Sequence, residues 1–145
     1  MRLVLDTNIV VSALLWKGAP RRLLRAAAGE NVFLFFSPPL LDELTDVLSH
    51  GKFKKQIAAL CLSSTQLVET YARRAEMVEP TAVPRVAPDP DDDVVIGTAL
   101  AAKADLLVTG DRALLSVAKY EGLRIVTVRE ALDAFALGVA HEECR

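Results

Sequence analysis

The residues of this chain that could do chemistry are a small set of carboxylates. Asp6 follows the apolar run Leu3-Val4-Leu5 and is itself followed by Thr7 and Asn8. Asp111 closes the run Leu106-Leu107-Val108-Thr109-Gly110 in the same manner. Asp89, Asp91, Asp92 and Asp93 lie immediately before the apolar Val94-Val95-Ile96. Any one of these aspartates could simply cap a helix, because its oxygen accepts from free backbone amides and a helix N-terminus favours negative charge. Capping does not require four carboxylates in one short run. Their repulsion has to be relieved by solvent or by a bound cation. Asp93 is the preferred ligand of that run, since the rigid start of a helix holds a ligand better than a loop does.

Glu43 is singled out by helical phase. Leu40, Leu41, Leu44, Val47 and Leu48 form the apolar stripe of a helix that starts at Ser37-Pro38. At roughly 100° per residue, Asp42 and Asp46 fall about 160° from the stripe centre and Glu43 about 100° from it. Glu43 therefore sits at the border between core and solvent, where it could reach a cleft. Taken alone it is equally an ordinary edge carboxylate. Clustered oxygen donors with no matching cations suit a hard divalent ion, Mg²⁺ or Mn²⁺. His50 and His141 are expected in solvent, at a helix end and in the tail, which disfavours zinc or imidazole chemistry. No Ser-His or Cys-His arrangement suggests a covalent nucleophile.

The elements that must carry these acids alternate in type. Residues 2–6, 32–36, 105–108 and 124–128 read as strands, apolar without polar alternation, as in a parallel sheet covered on both faces. A further short strand is expected near 83–86, in a connection containing Pro80, Pro84, Pro88 and Pro90. Helices are expected over 7–15, from Pro20 to Ala28 with Gly29 as stop, and from Ser37-Pro38 to about His50. Further helices are expected over 52–62, 64–77 with a capping box at Ser63 and Gln66, 93–103, 112–120 closed by Gly122, and 129–137. Such alternation predicts an α/β fold, a three-layer α/β/α sandwich around a mostly parallel sheet. Asp6 and Asp111 then share the carboxyl edge of that sheet, where open parallel sheets bind ligands.

The chain has 145 residues, 52% of them hydrophobic and 25% charged, which fits a single domain over 1–145 with a core of its own. The formal net charge of −2 does not suit bulk electrostatic binding of nucleic acid, so any positive surface must be local. Cys61 and Cys144 form neither a disulfide framework nor a zinc spacing, which points to a reduced, cytoplasmic protein. Leu3-Val4-Leu5 is too short for a signal peptide, and no run is long enough to span a membrane.

Taken in order, Leu5-Asp6-Thr7-Asn8, Ser37-Pro38 leading to Glu43-Leu44, Asp91-Asp92-Asp93 entering a small-residue helix, and Val108-Thr109-Gly110-Asp111 resemble the motifs of PIN domains. The order and spacing match along nearly the whole chain. The likeness is greatest to small bacterial PIN proteins related to VapC toxins of toxin–antitoxin modules. That resemblance implies a Mg²⁺- or Mn²⁺-dependent endoribonuclease, a homodimer, and an antitoxin partner. It places the catalytic and metal-binding acids at Asp6, Glu43, Asp93 and Asp111, with Asn8 and Thr109 as polar helpers. Asp91 and Asp92 are additional to the minimal pattern, and Asp91 is retained as a supporting acid.

RNA-binding candidates are Arg21, Arg22 and Arg25 at helical spacing, and Arg112 beside Asp111. Such clusters are also common on solvated helix faces. Trp16 could stack a base, or serve in the core or an interface. Two other classes are weighed. A non-catalytic PIN-like RNA-binding or regulatory module would bind without cutting. An aspartate-based phosphatase or receiver-like domain would want a second acid near Asp6, where Asn8 stands.

Overall fold

Leu3, Val4 and Leu5, Leu34, Phe35 and Phe36, and Leu106, Leu107 and Val108 are all buried. Successive strand side chains point to opposite faces, so these runs need cover on both sides. The structure, a computed structural model, describes residues 1–29, 31–84 and 90–143, with side chains described up to residue 136 except at position 90. The order is β1 (Arg2–Leu5), α1 (Thr7–Leu15), α2 (Ala19–Ala26), β2 (Phe33–Phe36), α3 (Pro38–Leu48) and a 3-10 turn (Gly51–Phe53). It continues with α4 (Lys54–Ala59), α5 (Ser64–Arg74), β3 (Ala75–Met77), α6 (Pro90–Ala101) and β4 (Leu106–Val108). The chain ends in α7 (Arg112–Val117), β5 (Lys119–Tyr120), β6 (Leu123–Val126) and α8 (Val128–Glu143).

The sheet runs β3-β2-β1-β4-β6-β5, with every pairing parallel except the edge pair β5–β6. Leu3, Leu5, Leu34, Phe36, Leu106 and Val108 face one cluster, shared with Val10, Leu23, Leu44 and Leu67 of α1, α2, α3 and α5. Val4, Phe35, Leu107 and Ile125 face the other, shared with Val95, Ile96 and Ala99 of α6 and Leu114 of α7. Helices on both faces of a mostly parallel sheet make the expected three-layer sandwich. The sequence runs outward from β1 to β2 and β3, then returns to place β4 on the other side of β1. The carboxyl ends of β1 and β4 therefore flank the switch point of the sheet, where such folds open a crevice.

Several boundaries differ from the sequence reading. The helix expected over 64–77 stops at Arg74, and Ala75–Met77 turn extended to pair with β2 at the sheet edge. No Gly or Pro marks that stop; the pairing with β2 does. The helix expected from 93 begins at Pro90 and takes Asp91, Asp92 and Asp93 into its first turn. The helix expected over 112–120 ends at Val117, and Lys119–Tyr120 form a hairpin with β6. Its two loop residues, Glu121 and Gly122, both have positive φ (47° and 85°), the turn whose twist matches that of the flanking strands. Gly122 thus serves the hairpin rather than a helix stop. The segment expected as one helix over 52–62 is a 3-10 turn followed by α4. The last helix extends beyond 137 to Glu143. No strand forms at Val83 and Pro84; Arg85 and Val86 lie outside the described residues, as do Asp89 and Cys144 and the side chain of His141.

The approach to α6 depends on Gly97. The Thr81 amide donates to the Gly97 carbonyl at 2.9 Å. A Cβ at position 97 would lie 2.3 Å from the Thr81 carbonyl oxygen. Only glycine lets the two backbones meet there.

Candidate active site

Asp6 is placed by both strands at the switch point. Its amide donates to the Val108 carbonyl at 2.9 Å, continuing the β1–β4 pairing one residue past Leu5. Its side chain caps α1: Oδ1 accepts the Thr7 amide at 2.8 Å. Oδ2 accepts the Thr109 hydroxyl at 2.7 Å. The Thr109 oxygen in turn accepts the Asp111 amide at 3.0 Å, and Asp111 caps α7 through Oδ1 and the Ala113 amide at 2.8 Å. Both aspartates therefore cap the helices that follow them, and the Thr109 hydroxyl links the two. Each Asp6 oxygen takes one hydrogen bond, and a carboxylate oxygen has capacity for a further partner.

Burial pushes the Asp6 carboxyl above its ordinary value of 3.8. The hydroxyl of Thr109 and the amide of Thr7 pull it back down, and the charge of Asp111 adds to the rise. Glu43 is raised too, first by desolvation of its carboxyl although the residue as a whole is exposed, then by the charge of Asp6 and, more weakly, of Asp91. The Thr7 hydroxyl lowers Glu43 but stands outside full hydrogen-bond geometry, since Oγ1 has no hydrogen-bond partner. Thus Asp6 interacts with Asp111, and Glu43 with both Asp6 and Asp91. Among the described residues, the influences on Asp6 and Glu43 are burial, hydrogen bonds and other acids.

Asp93, the preferred acid of its run, is half-buried in the first turn of α6, while Asp91 is exposed. Asp91 is the member whose charge acts on Glu43. Among the described residues no group of three or more Asp, Glu, His or Cys side chains is placed to hold a metal ion. The donors gathered at the switch point are nevertheless carboxylate and hydroxyl oxygens, the set a hard divalent cation takes. Mg²⁺ commonly binds through one or two carboxylates, keeping several waters or adding substrate phosphates. The residues fit a water-mediated ion rather than an all-protein cage.

Two helices are fixed to each other behind the acids. Ser37 and Thr98 are fully buried with their hydroxyls 2.8 Å apart. Thr98 also bonds the Val94 carbonyl at 2.8 Å as donor, so its single proton is used there and Ser37 donates to it. Ser37 stands at the N-cap of α3 without capping it through its side chain, contrary to the capping role expected from sequence. Pro38 and Pro39 take away the first two amides of the helix, and the Ser37 hydroxyl is engaged by Thr98 rather than by the Leu40 amide. The freed hydroxyl joins the helix of Glu43 to that of Asp91–Asp93. The Ser37–Thr98 pair is not apparent from the sequence, where Ser37 reads as a cap. A threonine inside the apolar face of α6 was the available signal.

Among the basic candidates, Arg21 gives Nε to the Ala13 carbonyl at 3.1 Å and a terminal nitrogen to the Leu14 carbonyl at 3.0 Å. It closes the C-terminal end of α1, which leaves fewer donors for a phosphate. Arg22, Arg25 and Arg112 are exposed, as is Asn8. Trp16 is partly exposed and packs edge-on against Phe53 at 5.8 Å. Ile57 and Leu67 are core residues and Leu62 is exposed. His50 is in solvent as expected, and Cys61 is exposed.

Comparison with known proteins follows this geometry. The family model described as PIN domain matches residues 2–113. No curated protein matches. Among solved structures, the chain is similar to one from the crystal structure of VapBC2 from Rickettsia felis bound to a DNA fragment from their promoter. The TM-score is 0.62 at 20% identity, covering 88% of this chain and 98% of that one. A weaker likeness is to the T. brucei RRP44 PIN domain, with a TM-score of 0.47 at 15% identity over 98% of this chain and 85% of that one. No helix among the described residues is long and apolar enough to cross a membrane.

Proposed function

Because the chain belongs to the PIN-domain family, we propose that it is a divalent-metal-dependent endoribonuclease, the toxin of a toxin–antitoxin module. The observation that carries this reading is the linking of Asp6 to Asp111 through Thr109 at the carboxyl ends of β1 and β4, with the charge of Asp6 acting on Glu43 of α3. PIN nucleases generally use divalent metals, and such an ion supplies Lewis acidity, acidifying water and offsetting charge on a phosphate. Asp6 and Asp111, with Glu43 from α3 and Asp93 or Asp91 from α6, are the residues that would hold Mg²⁺ or Mn²⁺.

The rest of the work is positioning. Thr109 fixes the carboxylate plane of Asp6 and, through the Asp111 amide, the start of α7. Thr7 orients Asp6 from the other side. Arg22, Arg25 and Arg112 would meet the RNA backbone, and Asn8 would orient water or phosphate. The likeness to a chain from a VapBC2 complex supports an antitoxin partner, and a homodimer belongs to the same proposal.

The test is incubation with a mixed RNA pool in Mn²⁺ or Mg²⁺, against EDTA and an Asp6→Asn variant. Cleavage that needs the ion and disappears in the variant supports the reading. RNA bound equally with and without EDTA, and never cut, would favour a non-catalytic module. Light scattering alone and with the product of an adjacent gene tests the assembly.

A further inference from the structure

Among the described residues, two buried hydroxyls lack a hydrogen-bond partner, and both belong to residues that line one cavity. Thr7 Oγ1 and the Tyr71 hydroxyl have no partner, although the two residues are only 2% and 3% exposed. Leaving a buried polar group unsatisfied is costly, so such groups ordinarily have a protein or water partner. Thr7 and Tyr71 are the polar members of a cavity otherwise walled by Leu5, Val10, Phe36, Leu40, Leu41 and Leu44. Its volume is about 10 Å³, which is about the room one water occupies by this measure. A water of that kind needs at least two polar partners, and the cavity offers two.

We propose that this cavity is a site for one structural water joining Tyr71 to Thr7, and that Tyr71 is thereby a positioning residue for Glu43. The sense of the hydrogen bonds follows from the donors available. Burial raises the tyrosine far above its ordinary range, so it stays a neutral donor. Tyr71 donates to the water, and the water donates to Thr7 Oγ1. The single Thr7 proton is then left for Glu43, the carboxylate it faces. Phe36, which also lines the cavity, packs against the Tyr71 ring at 6.3 Å. The consequence for Glu43 rests on the nuclease reading; the water site does not.

The experiment has two readouts on the intact protein. A crystal structure that resolves waters should place one within hydrogen-bond distance of both oxygens in the wild type. An empty cavity, or a Tyr71 hydroxyl turned to solvent, overturns the proposal. Mn²⁺ titration then compares Tyr71→Phe, Thr7→Val and the double variant, with Thr7→Ser as the conservative control. Each single variant should weaken Mn²⁺ several-fold, the double variant no more than Thr7→Val alone, and Thr7→Ser should restore wild-type affinity. Independent, multiplying losses from the two single variants would overturn the coupling. A wild type that binds no Mn²⁺ defeats the nuclease reading instead, while the crystallographic water decides this site separately.

Discussion

The Thr109 hydroxyl donates to Asp6 Oδ2 at 2.7 Å across 103 positions of sequence. It also accepts the Asp111 amide, so one small side chain links the two acids that end β1 and β4. Replacing it with valine keeps the shape and removes both bonds. Thr109→Val should cost about 1–3 kcal/mol, because the Asp111 amide and an Asp6 oxygen lose their partner. The hydroxyl lowers the Asp6 pKa, so its loss should raise it. The acid limb of the pH–rate profile should move to higher pH, while Thr109→Ser leaves it in place.

Asp6→Asn separates activity from stability. Burial and Asp111 raise the Asp6 pKa in the fold, so the folded state holds its proton more tightly than the unfolded chain. An acid raised in this way favours folding below its unfolded pKa of 3.8 and loses that contribution as pH rises through the higher folded value. At neutral pH, with no metal added, the ionised group opposes folding. Asparagine still caps α1. The variant should therefore be more stable at pH 7 by roughly 0.5–2 kcal/mol. The gain should shrink as pH falls toward 4 in urea titrations, while metal-dependent cleavage drops at least about 100-fold.

Divalent ions should reverse that balance. Mn²⁺ that binds only the folded protein stabilises it by about 2.7 kcal/mol at a hundred times its Kd. Thermal unfolding should rise with Mn²⁺ for the wild type and fail to rise for Asp6→Asn. An equal shift in both proteins would place the ion elsewhere.

The aspartate run can be resolved one member at a time. Asp91 raises Glu43 through its charge. Asp91→Asn should therefore move the Glu43 carboxyl titration to lower pH, followed by carbon-13 NMR of its carboxyl. Asp92→Asn serves as the control with no such shift. Asp93→Asn, judged by Mn²⁺ affinity, decides between Asp91 and Asp93 as the ligand from α6.

Ser37 and Thr98 call for a double-mutant cycle. Thr98→Val leaves a buried Ser37 hydroxyl without its acceptor and should cost about 1–3 kcal/mol. Adding Ser37→Ala should recover part of that loss, which equilibrium unfolding would reveal as a coupling energy of about 0.5–3 kcal/mol.

The sheet layers and the ends of β1 and β4 were legible because their residues are apolar without a break, and short polar residues follow at Asp6 and Thr109. The β3 strand was not, since Ala75, Glu76 and Met77 carry no strand signal and are extended only because β2 stands beside them. Glu43 could be distinguished from Asp42 by helical phase, but its neighbours could not. Which acid of the 91–93 run acts on it depends on how α6 meets α3. That meeting is marked by the bond between Ser37 and Thr98, which lie 61 positions apart.

The long reach of the Thr109–Asp6 bond also has a meaning in time. During synthesis Asp6 and Glu43 emerge first, while Thr109 and Asp111 follow more than sixty positions after Glu43. A growing chain stalled before β4 carries acids but has nothing to gather them.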